Sequence, residues 1–149
     1  MFLNTSVEIL FTAIEASVIA QILKFIGYIV THQTLNFKIL TTTGGMPSSH
    51  SSGTVALATV VGLICGFDSV EFAIAAGFSI IVMYDAAGLR RAAGRTAARL
   101  NKMMEEFYEG KPLDPSAKLK ELLGHTPFEV FVGALLGVAI AFLNHYILF

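Results

Sequence analysis

The sequence predicts an all-α fold: an integral membrane four-span helical bundle with a cytoplasmic amphipathic helix between spans three and four. Three observations support it. Of the 149 residues, 54% are hydrophobic and 14% charged, against roughly 25% charged in soluble domains. The mean hydropathy is +0.68. Four apolar segments approach the ~20 residues that a membrane helix needs. The chain length predicts a single membrane-embedded domain, residues 1–149.

The four predicted spans are Val7–Val30, His50–Gly66, Val70–Gly88 and Pro127–Phe149. The second and third are short, so we expect them to stand nearly upright or in a locally thinned bilayer. Both contain many glycines and alanines, which suit close helix contacts. The first segment lacks a basic leader and a small-residue cleavage site. We therefore expect it to be retained as a span rather than removed as a signal peptide.

The connection between spans three and four, residues 89–126, contains a basic segment, RRAAGRTAARLNKMMEEFYEGK. Its pattern is that of an amphipathic helix that ends before Gly110 and Pro112. Its predicted apolar side consists of Leu100, Met103, Met104 and Phe107. Such a helix can lie on the membrane surface. The alternative is a solvated connector packed on the bundle.

Basic residues set the predicted orientation. Nine of the ten Lys and Arg residues fall in the connections 31–49 and 89–126, which four spans place on one side. The positive-inside rule makes this side cytoplasmic, in the plasma membrane or bacterial inner membrane. The basic residues lack the aromatic interleaving of a nucleic-acid surface, so no nucleic-acid partner is expected. The single cysteine, Cys65, excludes an intrachain disulfide and a cysteine metal site.

The stretch GGMPSSHSSG, residues 44–53, is typical of a helix start. Pro47 precedes the helix, either Ser48 or Ser49 can cap it, and His50 follows in the first turn. Free backbone N–H groups and the helix dipole favour an anion there. We therefore expect Ser48 and Ser49 to help bind a phosphate. A capped helix with an incidental histidine is the alternative.

A similar stretch, GHTPFEVFVGALLG, begins the fourth span. His125 precedes a Thr-Pro helix start, and Glu129 fits a capping box. The predicted topology places His125 on the same membrane face as His50 and the pair Arg90 and Arg91. Arginine can bind phosphate oxygens in a bidentate manner, and two histidines can serve as nucleophile and general acid. The sequence therefore predicts a phosphate site.

Three stretches resemble a known family: TGGMPSSHSS, MYDAAGLRRAAG and ELLGHTPFEV. They are similar to the hallmark motifs of the small divergent membrane branch, bacterial and plant, of the type 2 phosphatidic acid phosphatase and vanadium haloperoxidase superfamily. The resemblance covers most of the chain. It implies a phosphatase-like domain that matches the last four helices of a six-helix family core.

The resemblance also implies roles for individual residues. His125 aligns with the histidine that attacks phosphorus and becomes phosphohistidine, and Glu129 with the acid that orients it. His50 aligns with the histidine that protonates the leaving oxygen. Arg90 or Arg91 matches a phosphate-binding arginine at the end of the preceding helix. Lys24 is the candidate for the lysine of the first family motif.

The chain departs from the family pattern at several positions. The Arg-Pro of the first motif is replaced by Thr31 and His32, the third-motif arginine by Leu119, a glycine by Ser49, and an aspartate by Glu129. Two functions therefore stay open. One is a phosphatase that hydrolyses a lipid phosphate or pyrophosphate at the cytoplasmic face through phosphohistidine, with no metal or cofactor expected. The other is a protein that binds or transports a phospholipid or polyprenyl phosphate without hydrolysis.

Asp85 and Glu15 are acidic residues within predicted spans, where an ionisable side chain usually has a function or a polar partner. Asp85 can pair with Arg90 or Arg91, or help to hold a divalent metal. Glu15 must face protein or another polar partner, and a homo-oligomer such as a dimer is one way to supply it. The other expected partners are the lipid bilayer and the lipid phosphate itself.

Overall fold

The computed structural model describes residues 5–37, 44–107, 118–119 and 124–148. Five α-helices run through these ranges, and no β-strand occurs in them, so the all-helical prediction is confirmed. The helices are α1 (Thr5–His32), α2 (Ser49–Cys65), α3 (Val70–Ala87), α4 (Leu89–Phe107) and α5 (Pro127–Leu143). A π-helical turn, Asn144–Leu148, continues α5. Three residues named in the sequence predictions lie outside the described residues: Gly110, Pro112 and Phe149.

The central helix is α2, which packs against α1, α3 and α5. Its buried residues are mostly small or β-branched. Two glycines of α5 allow the closest approach. A Cβ atom at Gly133 would lie 2.5 Å from the carbonyl oxygen of Ser48, and one at Gly137 would overlap the carbonyl oxygen of Ser52. The two backbones are therefore in contact, as small residues allow between membrane helices.

Three helical stretches are long and apolar enough to cross a membrane: Ser6–His32, Val70–Phe107 and Pro127–Leu148. The shorter α2 has 17 residues, which at ~1.5 Å per residue gives about 25 Å. The bundle also presents many large apolar side chains outward, among them Ile14, Val30 and Ile81, which are 63%, 73% and 69% exposed. These features are those of an integral membrane protein. The count of four spans stays a prediction.

The helix boundaries follow the local capping signals in the sequence. Ser48 caps α2, and its Oγ accepts a hydrogen bond from the backbone N–H of Ser51 at 3.3 Å. Thr126 and Glu129 form the predicted capping box of α5, with bonds of 3.3 and 3.0 Å. Gly88 separates α3 from α4, and its N–H closes α3 on the carbonyl of Tyr84 at 2.8 Å.

The amphipathic helix predicted between the third and fourth spans is present as α4. It buries a narrow face of Gly94, Ala97 and Asn101. The predicted apolar residues are on its surface: Leu100, Met103, Met104 and Phe107 are 43%, 63%, 38% and 82% exposed. Asn101 binds the backbone of Leu119 through two 2.9 Å hydrogen bonds, which fixes the returning chain beside α4.

Candidate functional site

The segments that precede α2 and α5 meet at one end of the bundle. The N–H of Ser48 donates to the carbonyl of Glu129 at 3.2 Å, and the N–H of His125 donates to the carbonyl of Ala86 at 2.9 Å. These bonds join two helix starts to the end of α3. As a result, the rings of His50 and His125 lie with their centroids 6.4 Å apart at an angle of 61°.

His125 is held in one orientation by the first turn of α5. Its side chain is 2% exposed, and its Nδ1 lies 3.2 Å from Glu129 Oε2. Since an ionised carboxylate can only accept, Nδ1 carries the hydrogen. The opposite nitrogen, Nε2, is buried and has no hydrogen-bond partner among the described residues. The ring therefore presents a free lone pair on Nε2.

Burial is the main electrostatic influence on His125. Loss of hydration lowers the pKa of the imidazole below its ordinary value. The hydrogen bond that His125 donates to Glu129 opposes this shift, and the nearby positive charge of Lys24 adds to the lowering. The lowered pKa keeps His125 neutral at neutral pH, which is the state that a nucleophile needs.

Two cationic side chains lie close to the histidine pair. Lys24 is 5% exposed, its Nζ donates to Gln21 at 3.1 Å, and its charge acts on both histidines and on Glu129. Arg90 also acts on His50. Its Nε is bound to the carboxylate of Asp85 at 2.6 Å, so the predicted ion pair of Asp85 is confirmed.

Arg91 lines a cavity of about 360 Å³ beside His125. Arg95, one helical turn further along α4, lines the same cavity, although it was not predicted as a site residue. Its spacing of four residues from Arg91 places both side chains on one helix face, and the sequence alone could have indicated this. The complete lining is Gly44, Gly45, Arg91, Gly94, Arg95, Ala98, Gly124, His125, Thr126 and Glu129. A second cavity, of about 290 Å³, lies along Lys24 and Tyr28 and shares Gly44 and Gly45 with the first.

Gly124 positions His125 against the junction of α3 and α4. Its φ is +82°, a conformation that favours glycine. A Cβ atom there would overlap the backbone nitrogen of Arg91 and lie 2.8 Å from the carbonyl carbon of Arg90. No local sequence pattern predicted a role for this glycine, although it stands directly before His125. It lets the chain pass close enough to bring His125 beside Arg91.

The two serines of the predicted anion site differ in their surroundings. Ser48 is fully buried, and its Oγ already accepts hydrogen bonds from the N–H of Ser51 and from the Ser51 hydroxyl. Ser49 is half-buried, and His50 beside it is exposed. The backbone N–H groups of Ser49 and His50 lie in the first turn of α2, where no earlier turn of the helix supplies acceptors. The part of both serines in phosphate binding stays a prediction.

Comparison with known proteins identifies the family. The family model described as the divergent PAP2 family matches residues 5–140. The chain belongs to the divergent PAP2 family. The resemblance found in the sequence, to a divergent branch of the type 2 phosphatidic acid phosphatase superfamily, is thereby confirmed. The matched range includes every predicted site residue, from Lys24 to Glu129.

One relative extends over nearly the whole chain. The chain is 41% identical over 147 residues to an uncharacterised membrane protein, YuiD, from Bacillus subtilis (strain 168). The match covers 92% of this chain and 93% of the relative. It supports the assignment of this family member as an integral membrane protein. No solved structure matches the chain.

Proposed function

We propose that this divergent PAP2 protein is a membrane phosphatase that hydrolyses a lipid phosphate or pyrophosphate through a phosphohistidine at His125. The observation that carries the proposal is the state of this side chain. Its Nδ1 is held by Glu129, while its Nε2 is buried and free of partners. Such a ring is oriented and deprotonated on the side that would attack phosphorus.

In the first step, the Nε2 lone pair of His125 forms a bond to phosphorus as the bond to the leaving oxygen breaks. Protonated His50 gives its proton to that oxygen and becomes neutral. The positive charge that develops on the His125 ring is stabilised by the Glu129 carboxylate. Arg91 and Lys24 offset the negative charge of the transferring phosphoryl group.

In the second step, neutral His50 removes a proton from water as the water oxygen attacks phosphorus. The bond between phosphorus and His125 Nε2 breaks, and inorganic phosphate leaves. His50 is then protonated again, ready for the next cycle. Each histidine thus returns to its starting state, and the scheme needs no metal or redox cofactor.

The position of the site favours a lipid substrate. His50 and His125 lie at the starts of two apolar helices, α2 and α5, and the predicted topology puts both helix starts on one membrane face, within reach of a lipid phosphate. The positive-inside distribution of Lys and Arg further supports a site that faces the cytoplasm, in the bacterial inner membrane.

A second function has one observation in its favour. Arg90 is neutralised by Asp85 at 2.6 Å, which leaves less positive charge for a transition state than an unpaired arginine would. This favours a protein that binds or transports a phospholipid or polyprenyl phosphate without cleaving it.

The test uses the full chain, purified in detergent, with a lipid phosphate, a lipid pyrophosphate and an aryl phosphate. Under the phosphatase proposal, wild-type protein releases inorganic phosphate, and acid-labile phosphate appears on His125 in a rapid quench. His125→Ala abolishes both. Wild-type protein that binds these lipids saturably but releases no phosphate would favour the binding function instead.

A further inference from the structure

The second cavity, of about 290 Å³, adjoins the phosphate site but takes no part in the proposed chemistry. Its walls are one face of α1 and residues 44–46, and it shares Gly44 and Gly45 with the cavity beside His125. The wall from α1 consists of Lys24, Gly27, Tyr28 and Thr31. These four residues cover about 10 Å along the helix axis, so the cavity extends from the phosphate site along α1.

Lys24 connects the histidine pair with the second cavity. Its charge acts on His50 and His125, while its methylene stem packs along Gly45. A Cβ atom at Gly45 would lie 3.4 Å from Lys24 Cδ and 3.5 Å from Lys24 Cγ. The apolar stem therefore leads from the charged end of the side chain, which serves the phosphate site, to the second cavity.

Gly27 lies in the wall of this cavity, and helix packing does not require a glycine there. A Cβ atom at Gly27 would meet no other part of the described chain within 4 Å. Gly133 and Gly137 are different, because a Cβ atom at either one would collide with α2. Glycine inside a helix is less favourable than alanine, so Gly27 weakens α1 without allowing a closer contact. What the missing side chain leaves is open space beside the cavity.

Gly27 marks the border between the cavity and the outward face of α1, a helix long and apolar enough to cross a membrane. Successive residues of a helix are about 100° apart around its axis. The residues about 40–100° to one side of Gly27 all line the cavity: Thr31, Lys24 and Tyr28. The residues about 40–100° to the other side are large, apolar and 43%, 73% and 49% exposed: Leu23, Val30 and Ile26. A side chain at position 27 would stand between these two groups, and its absence opens the cavity towards the lipid.

We propose that this cavity is a subsite for the apolar chain of the lipid whose phosphate binds at the histidine pair, and that the missing side chain of Gly27 is its opening to the membrane. The inference rests on the proposed lipid phosphate ligand, whether the protein cleaves that ligand or only binds it. The wall presents mainly apolar groups, as ligand pockets usually do. They include the stem of Lys24 and the ring of Tyr28, while the hydroxyl of Thr31 already donates to the Gly27 carbonyl at 2.8 Å.

The test compares equilibrium binding of hexadecyl phosphate and ethyl phosphate to the full chain in one detergent. Wild-type protein should bind hexadecyl phosphate more tightly. Gly27→Leu places a side chain where the ligand chain packs, and should weaken hexadecyl phosphate binding about 5- to 150-fold, as over-packing does in a protein interior. Its affinity for ethyl phosphate should equal that of wild type.

Gly77→Leu is the matched control. Gly77 lies in α3, another candidate span. A Cβ atom there also has open space, and the residue lines neither of the two cavities. This variant should bind both phosphates like wild type. Gel filtration and helical circular dichroism verify that each variant is folded.

A second measurement uses only wild-type protein and so does not depend on the folding of a variant. Hexadecyl phosphate with a diazirine on the carbons next to the phosphate should label residues 24–31, and unlabelled hexadecyl phosphate should prevent this. Labelling confined to other helices would overturn the proposal. So would equal hexadecyl phosphate affinity in wild type and folded Gly27→Leu, or an equal loss in Gly77→Leu. Phosphate release is measured in parallel, because its absence refutes the phosphatase, whereas chain-dependent binding tests the subsite alone.

Discussion

Replacing Glu129 by glutamine separates its structural role from its electrostatic role. In the structure, Glu129 Oε2 accepts from the N–H of Thr126 at 3.0 Å and is 3.2 Å from His125 Nδ1. Glutamine can still accept from Thr126, because Gln also completes a capping box. It cannot supply the negative charge that stabilises the His125 ring as that ring becomes positive.

The size of the effect follows from this single lost charge. A hydrogen bond to a charged group contributes about 1.5–3 kcal/mol, and a neutral one about 0.5–1.5 kcal/mol. The difference, roughly 1–1.5 kcal/mol, corresponds to about a 5- to 13-fold lower rate of phosphoryl transfer. The thermal midpoint should change little, since the cap survives. Glu129→Ala, by contrast, should lower the rate and also reduce the stability by about 1 kcal/mol, because the hydrogen bond from the Thr126 N–H is lost.

The assay is single-turnover phosphate release by the full chain in detergent, beside thermal unfolding of the same preparations. Wild type, Glu129→Gln, Glu129→Ala and His125→Ala are compared at saturating substrate. A Glu129→Gln rate equal to that of wild type would refute the electrostatic role of the carboxylate. A rate as low as that of His125→Ala would refute the view that Glu129 acts only through the histidine.

The pH dependence of the reaction provides an independent check on His125. Burial lowers its pKa, so the loss of rate caused by its protonation should appear only below the ordinary histidine value of about 6.5. The shift also affects the free energy of unfolding, because the folded state disfavours the protonated ring. This contribution to stability is present above the unfolded-state pKa and is lost as pH falls from that value through the lower folded-state pKa. An acid limb of kcat/KM with its midpoint above about 6.5 that persists in His50→Ala would contradict this.

Three further predictions concern the rest of the site and its orientation. Gly124→Ala should lower both activity and the thermal midpoint, because its Cβ would meet the backbone at Arg91; an unchanged rate and midpoint would show that the loop position is not needed. His50→Ala should slow hydrolysis of an alkyl phosphate about 10²–10⁴-fold and of an aryl phosphate much less; equal losses would reject the acid role. In a cysteine-free background, an impermeant maleimide should label Asp68→Cys but not Lys102→Cys in intact cells, and the reverse pattern would invert the topology.

The sequence predicted the helices and their caps because those signals are local. Runs of apolar residues, Thr126 before a proline, and Glu129 three positions later each act within a few residues. It could not choose between Arg90 and Arg91, since consecutive residues on a helix point about 100° apart. Only the tertiary structure shows that Arg90 pairs with Asp85 while Arg91 lines the cavity.

Other contacts depend on residues far apart in the chain. The bond between Asn144 and Thr12 joins positions 132 residues apart, and no local pattern marks either one as a partner. The same holds for Gly124, which needs to lack a side chain because of the neighbouring helix junction as well as because of its own positive φ. Sequence reasoning identified the reactive groups, while tertiary packing determines how they are held.

The short length of α2 has a consequence for how a substrate would be supplied. A helix of 17 residues, about 25 Å long, does not reach across a hydrocarbon layer of roughly 30 Å. If α2 spans the membrane, as the sequence predicts, at least one of its ends is recessed below the headgroups, or the surrounding leaflet is dimpled towards it. If the recessed end is the one that carries His50, a lipid phosphate arrives by sideways diffusion within the leaflet. The turnover rate would then follow the mole fraction of substrate in the bilayer or micelle and would be insensitive to its total concentration in the sample.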